Sequence, residues 1–291
     1  MVEGPDGDLP EVPTSPGSRR TLVPGTSAGQ DYRVTTLPLL SVSDGVATIR
    51  LGRPDAGNAF DLPAALGLRD AVAEIARTVR DVDVVVLRAD GRLFCAGGDV
   101  RAMASAPDRP AFVSELAGVL HDALTSLRGL PVPVVAVVQG AAAGAGVGLL
   151  LAADVVVAAE HATFVAAYPS VGLSPDCGVS ALLPAAVGAR RAALFLLTGA
   201  TIDAATALDW GLVTEVADLH DLDARAGEVV AGIAALPRAA VGEAARLLRL
   251  APERPYAVQL ADEAATIARL SSTPEADALL TAFATPNGDT A

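Results

Sequence analysis

The chain has 291 residues, with 34 acidic side chains against 21 cationic ones, for a formal charge of −13. That balance excludes the basic footprint needed to hold nucleic acid or an anionic membrane surface. Every cation is arginine, so Schiff-base chemistry is excluded too.

Residues 1–35 carry prolines, glycines, serines and charges without periodicity and are expected to form a disordered tail. Order is expected from about Leu37. Leu39–Ser43, Asp44-Gly45 and Val46–Leu51 predict a hairpin, because Asp-Gly suits the positive φ angles of a tight turn. From Asp61, a candidate N-cap, Leu66, Ala71, Ile75 and Val79 recur at helical spacing. Val84–Leu87 reads as a buried strand, 111–127 as an amphipathic helix and Val132–Val138 as a second strand. The apolar stretch Val132–Ala159 is long enough to span a membrane, which takes about 20 residues. Pro133, Gln139, Asp154 and four glycines instead divide it into strand, turn, short helix and strand, and no membrane partner is expected. Beyond Ala181 the pattern is helical at 188–197, 203–210, 222–235, 239–250 and 255–270. The expected organisation is a tail at 1–35, an α/β core at 36–215 and a helical region at 216–291. Two cysteines make no disulfide framework, and the first residues lack the pattern of a secretory signal. A cytoplasmic location is expected.

Three glycine-containing segments follow strands, where open α/β sheets place their sites. The first, Arg92 to Arg101, turns through Gly97-Gly98 and opens a helix at Asp99. Amides at a helix start suit developing negative charge, although Asp99 also reads as a plain N-cap. In the second, Gln139 to Gly148, the third fingerprint glycine is missing after Gly144-x-Gly146 and no Gly-Lys-Ser/Thr occurs, which argues against dinucleotide and P-loop binding. In the third, Tyr168 to Gly178, Asp176 is the lone charge between Ala162 and Ala189. It is either a helix N-cap or a functional acid–base. His121, His161 and His220 are scattered without metal-ligand spacing and are expected at the surface; no metal is expected.

Together these segments resemble the crotonase, or enoyl-CoA hydratase/isomerase, superfamily from about Leu37 to Phe283. The matching residues are Leu51-Gly52-Arg53-Pro54 with Asn58-Ala59, Phe94-Cys95-Ala96-Gly97-Gly98-Asp99, Gly140 to Gly148 with Ala153-Asp154, Val171-Gly172-Leu173 with Pro175-Asp176 and Gly178, then Thr198-Gly199 and Trp210-Gly211-Leu212-Val213. The resemblance implies an α/β crotonase-like spiral of repeated ββα units with a helical C-terminal trimerisation region, assembled as a homotrimer or dimer of trimers. It implies an acyl-CoA thioester substrate and no cofactor. The backbone NH groups of Gly98 and Ala145 would hold the thioester oxygen. Arg53, Asp55, Ala56, Ala59, Ala96, Asp99, Val100, Arg101, Gly144, Gly148, Tyr168, Val171 and Phe283 would bind the substrate and its CoA.

The superfamily's hydratases use two glutamates, and here those positions hold Gly148 and Tyr168. Hydration needs a positioned water whose protons move, and neither residue supplies a carboxylate. Asp176 matches an aspartate of the dienoyl-CoA isomerases and of the phenylacetate-pathway epoxide/double-bond acyl-CoA isomerase, to which Pro175-Asp176-Cys177-Gly178 is most similar. The resemblance therefore implies a double-bond isomerase with Asp176 as proton shuttle. The alternatives are an enoyl-CoA hydratase working through Asp176, a dehalogenase-like hydrolase in which Asp176 is the nucleophile, and a thioester-binding paralogue without catalysis. In 4-chlorobenzoyl-CoA dehalogenase, a tryptophan stands where this chain has Tyr168.

Overall fold

The computed structural model describes residues 39–284; the tail expected at 1–35 lies outside the described residues. The elements in chain order are β1 (Leu39–Ser43), β2 (Val46–Leu51), α1 (Leu62–Thr78), β3 (Val84–Ala89), α2 (Val100–Ser105), α3 (Arg109–Arg128) and β4 (Val134–Val138). There follow β5 (Ala142–Ala143), α4 (Ala145–Leu151), β6 (Val155–Ala159), β7 (Thr163–Val165), α5 (Val179–Val187), α6 (Ala189–Thr198), β8 (Thr201–Asp203), α7 (Ala204–Trp210) and β9 (Glu215–Ala217). Helices α8 (Leu222–Ala234), α9 (Arg238–Leu250), α10 (Tyr256–Ser271) and α11 (Pro274–Ala284) complete the described chain.

The hairpin forms as its turn chemistry requires: Asp44 and Gly45 take φ of 50° and 76°. Strand β1 pairs antiparallel with β2, and β2, β3, β4, β6 and β9 then run parallel in one sheet ordered β1-β2-β3-β4-β6-β9. Helical crossovers cover its faces, which is why β4, with every residue buried, is a continuous apolar run rather than an alternating one. Asp61 caps α1 by accepting from Ala64 N–H at 2.9 Å. The buried core is aliphatic apart from Phe60, Phe94, Phe164, Phe195 and Tyr168 and the two cysteines. Among the described residues no helix is long and apolar enough to cross a membrane.

Two features lie beyond the sequence reading. A second sheet, β5-β7-β8, stands beside the main one. Its strands of two or three residues are too short to show a period of two. Helix α5, the helix that an N-cap near residue 176 would open, forms with Pro184 inside it, a residue that argues against a helix from sequence alone. The C-terminal helices are tied to the sheet through α9, whose Arg249 is 7% exposed. It bonds Asp154 and the carbonyls of Arg128, Leu130 and Val132. Asp154 also accepts from Val134 N–H at 2.7 Å, so the pair fastens the C-terminal helices to the start of β4. A buried charge is tolerable only when so fully partnered.

Candidate functional site

The first and second glycine-containing loops are laced together by main chain. Cys95 N–H donates to Ala141 O at 3.2 Å and Ala143 N–H to Cys95 O at 2.8 Å, forming a parallel bridge. On the outer side Phe60 N–H donates to Gly97 O and Asp99 N–H to Phe60 O, at 2.7 and 2.8 Å. Gly97 sits at φ 93°, and a Cβ there would lie 2.8 Å from Ala143 O, so both conformation and space demand glycine. The amides of Gly98 and Ala145 have no acceptor among the described residues. Both line one cavity of about 190 Å³. Gly97 thus brings two loops together so that two unpaired donors face the same space.

The third loop supplies the only ionisable side chains on that cavity among the described residues, Tyr168 and Asp176. Tyr168 Oη donates to Asp176 Oδ1 at 2.8 Å. Burial, and next the Asp176 charge, push the phenol far above its usual range, so it is a fixed neutral donor. Asp176 does not cap α5: the N-cap is Gly178, which makes no side-chain bond. Of the two roles the sequence left open, the N-cap is therefore removed. Behind Asp176 the chain takes φ of 51° at Cys177 and 74° at Gly178. The first is a strained value for a non-glycine residue. Cys177 N–H donates to His121 Nε2 of α3 at 3.1 Å.

His121 is exposed as expected, yet it is not remote from the site. Donor atoms of His121, Asp176 and Cys177 lie within 4.8 Å of one another. As folded, the trio is ill suited to a cation. The Nε2 lone pair is already used, and burial together with the Asp176 charge pushes the Cys177 thiol up. Burial likewise raises Cys95 to about 12, leaving it an inert core thiol.

Among the other residues singled out by sequence, Ala96, Val100, Gly144 and Val171 line the 190 Å³ cavity. Arg53 does not; it pairs with Asp61 at 2.9 Å and Asp99 at 3.3 Å and donates to Ala59 O, holding the 53–60 loop against the first glycine loop. Asp99 also caps α2 through Arg101 N–H and Ala102 N–H. Asp55 and Ala56 lie exposed in a 3-10 turn beside that loop, and Ala59 is buried beneath it. Arg101 is exposed at the start of α2, its guanidinium making no bond among the described residues. Gly148 lines a different cavity, and Phe283 on α11 is 94% exposed and lines neither.

Residues 41–285 match the protein-family model described as enoyl-CoA hydratase/isomerase. The chain is 35% identical over 208 residues to 1,2-epoxyphenylacetyl-CoA isomerase of Escherichia coli, covering 70% of this chain and 78% of that one. It is 35% identical over 213 residues to 4-chlorobenzoyl coenzyme A dehalogenase-2 of an Arthrobacter species, covering 72% and 75%. The fold superposes on the crystal structure of an enoyl-CoA hydratase from Mycobacterium smegmatis with a TM-score of 0.80 at 33% identity, covering 84% of this chain and 95% of the other.

Proposed function

The chain belongs to the enoyl-CoA hydratase/isomerase family and has its α/β crotonase fold, and from that premise we propose that it is an acyl-CoA isomerase that shifts a double bond, with Asp176 carrying the proton. The observation behind this reading is that, among the described residues, Asp176 is the one carboxylate facing the cavity on which the two unpaired amides open. The thioester oxygen would lie between Gly98 N–H and Ala145 N–H. Donors so placed are worth about 2.7–4 kcal/mol of barrier, because they meet charge only as it develops. Asp176 then takes a proton from the carbon beside the carbonyl of a 3-enoyl thioester. The electron pair enters a dienolate, and the same carboxyl returns the proton at the far end of the conjugated system. No atom is gained or lost, and neither metal nor redox cofactor takes part.

Hydration fits less well. It requires water held and deprotonated on one face, yet the space where a side chain at 148 would start is filled by Cys177. The other hydratase position carries the Tyr168 phenol, a neutral donor. One observation favours a second reading, the 35% identity to 4-chlorobenzoyl coenzyme A dehalogenase-2. In it the Asp176 carboxylate would displace halide from an aryl ring to form an aryl ester, and water would then hydrolyse that ester to release the hydroxyaryl thioester and regenerate Asp176.

We further propose a trimer or dimer of trimers, with CoA phosphates met by Arg101 and the adenine by Phe283. Light scattering that shows a monomer at micromolar concentration would remove the assembly. The functional reading is tested by Asp176→Asn, which keeps the size of the side chain but cannot shuttle protons. The expected result is a loss of about 10²–10⁴-fold in kcat with thioester binding retained. Activity equal to wild type would remove Asp176 from the mechanism.

A further inference from the structure

Three segments of the site present neighbouring residues to two different cavities. On α3, Leu120 faces the 190 Å³ cavity while His121 and Leu124 face a second of about 620 Å³. On α4, Ala145 faces the first and Gly148 the second; in the acid loop, Asp176 faces the first and Cys177 the second. The two chambers therefore stand back to back with a wall one side chain thick. At its centre Cys177 rests on Gly148: a Cβ at 148 would fall 2.6 Å from Cys177 Cβ, and Cys177 is only 2% exposed. The front chamber is mostly apolar, lined by Met103, Val113, Leu116 and Leu120 among others. An apolar cavity of about 150 Å³ admits benzene. By that scale a chamber of 190 Å³ takes one ring or a chain of about six carbons.

We propose that this wall sets the substrate class: compact acyl groups of about ring size, with Cys177 the residue that fixes the limit and the rear chamber closed to substrate. The proposal rests on the thioester reading above but not on turnover. A chain longer than the front chamber must either stay in water or displace Cys177, which its N–H bond to His121, the Val179 N–H bond to Asp176 O across it and its seat on Gly148 hold in place.

The test is competitive binding of saturated acyl-CoAs from butanoyl to dodecanoyl. Affinity is expected to rise about fourfold per methylene up to hexanoyl and then level off. Cys177→Gly keeps the N–H that donates to His121 and relieves the φ of 51°, so it should fold. It should tighten dodecanoyl-CoA by about tenfold and leave butanoyl-CoA unchanged. Adding Ala181→Phe, from the exposed rim of the rear chamber, should restore the wild-type limit. Leu120→Ala opens the same wall from α3 and should also lengthen the series. Affinity that keeps rising to dodecanoyl in the wild type, or a folded Cys177→Gly protein with an unchanged series, would overturn the wall. A length limit seen without turnover of any enoyl-CoA would sustain the wall and sink the isomerase reading instead.

Discussion

The Gly98 and Ala145 amides are positioned by main-chain bonds, the Cys95–Ala142 bridge and the Phe60 bonds to Gly97 and Asp99. The Asp176 carboxylate is positioned by side chains, with Tyr168 Oη on its Oδ1 and His121 Nε2 on the following amide. The difference separates what the fold supplies from what this chain chooses. A donor pair built of backbone tolerates changes of side chain around it, so under the proposed reading polarising a carbonyl would belong to the fold. The proposed proton-moving group is one side chain on one loop, and on that reading the reaction type changes with it.

If that contrast holds, damage to the amide half should be severe and indifferent to substrate. Gly97→Ala forces a Cβ toward Ala143 O and a side chain into φ 93°, displacing both donors. A fall of about 10²–10³-fold in kcat is expected, equal for every acyl group, measured by steady-state kinetics with circular dichroism as a check on folding. Near-normal kcat would show that the donors are not held as described.

Damage to the acid half should be graded. Tyr168→Phe removes a hydrogen bond to a charged acceptor, worth about 1.5 kcal/mol, and kcat should fall by about tenfold. Because burial holds the phenol neutral well above the ordinary tyrosine range, its ionisation should leave no mark on the wild-type pH–rate profile up to about pH 10. The alkaline limbs of wild type and variant should therefore coincide. A limb present in the wild type and absent from Tyr168→Phe would mean the phenol itself titrates. The smallest effect is expected outside both halves. Arg101→Ala should weaken CoA binding by about threefold with kcat unchanged, the scale of one exposed charge pair, and an unchanged Kd would free Arg101 of the phosphate role.

The same contrast explains how much was legible in the sequence. The hairpin, the Asp61 cap, strands β3 and β4 and the glycine loops depend on local rules and lie within a residue or two of where those rules put them, whereas the three-residue β9 and the parallel pairing do not follow from local sequence. Asp176 stood out because the 27 residues around it carry no other charge. What held it did not stand out. His121 sits in a helix that reads as an ordinary amphipathic surface, and its partner is an amide, a group without a sequence signal. Arg249 carries no signal of its own within the helical pattern at 239–250, yet it is buried against Asp154. The wall between the chambers needs three segments far apart in sequence, and only the folded chain brings Leu120, Gly148 and Cys177 together.

The central claim is that one carboxylate and two amides move a double bond without adding water. Its most direct measurement is the product formed from hex-3-enoyl-CoA, resolved by chromatography and weighed by mass spectrometry. The expected product is hex-2-enoyl-CoA, separated from the substrate but of identical mass. A product heavier by one water, or free CoA from hydrolysis, would contradict it.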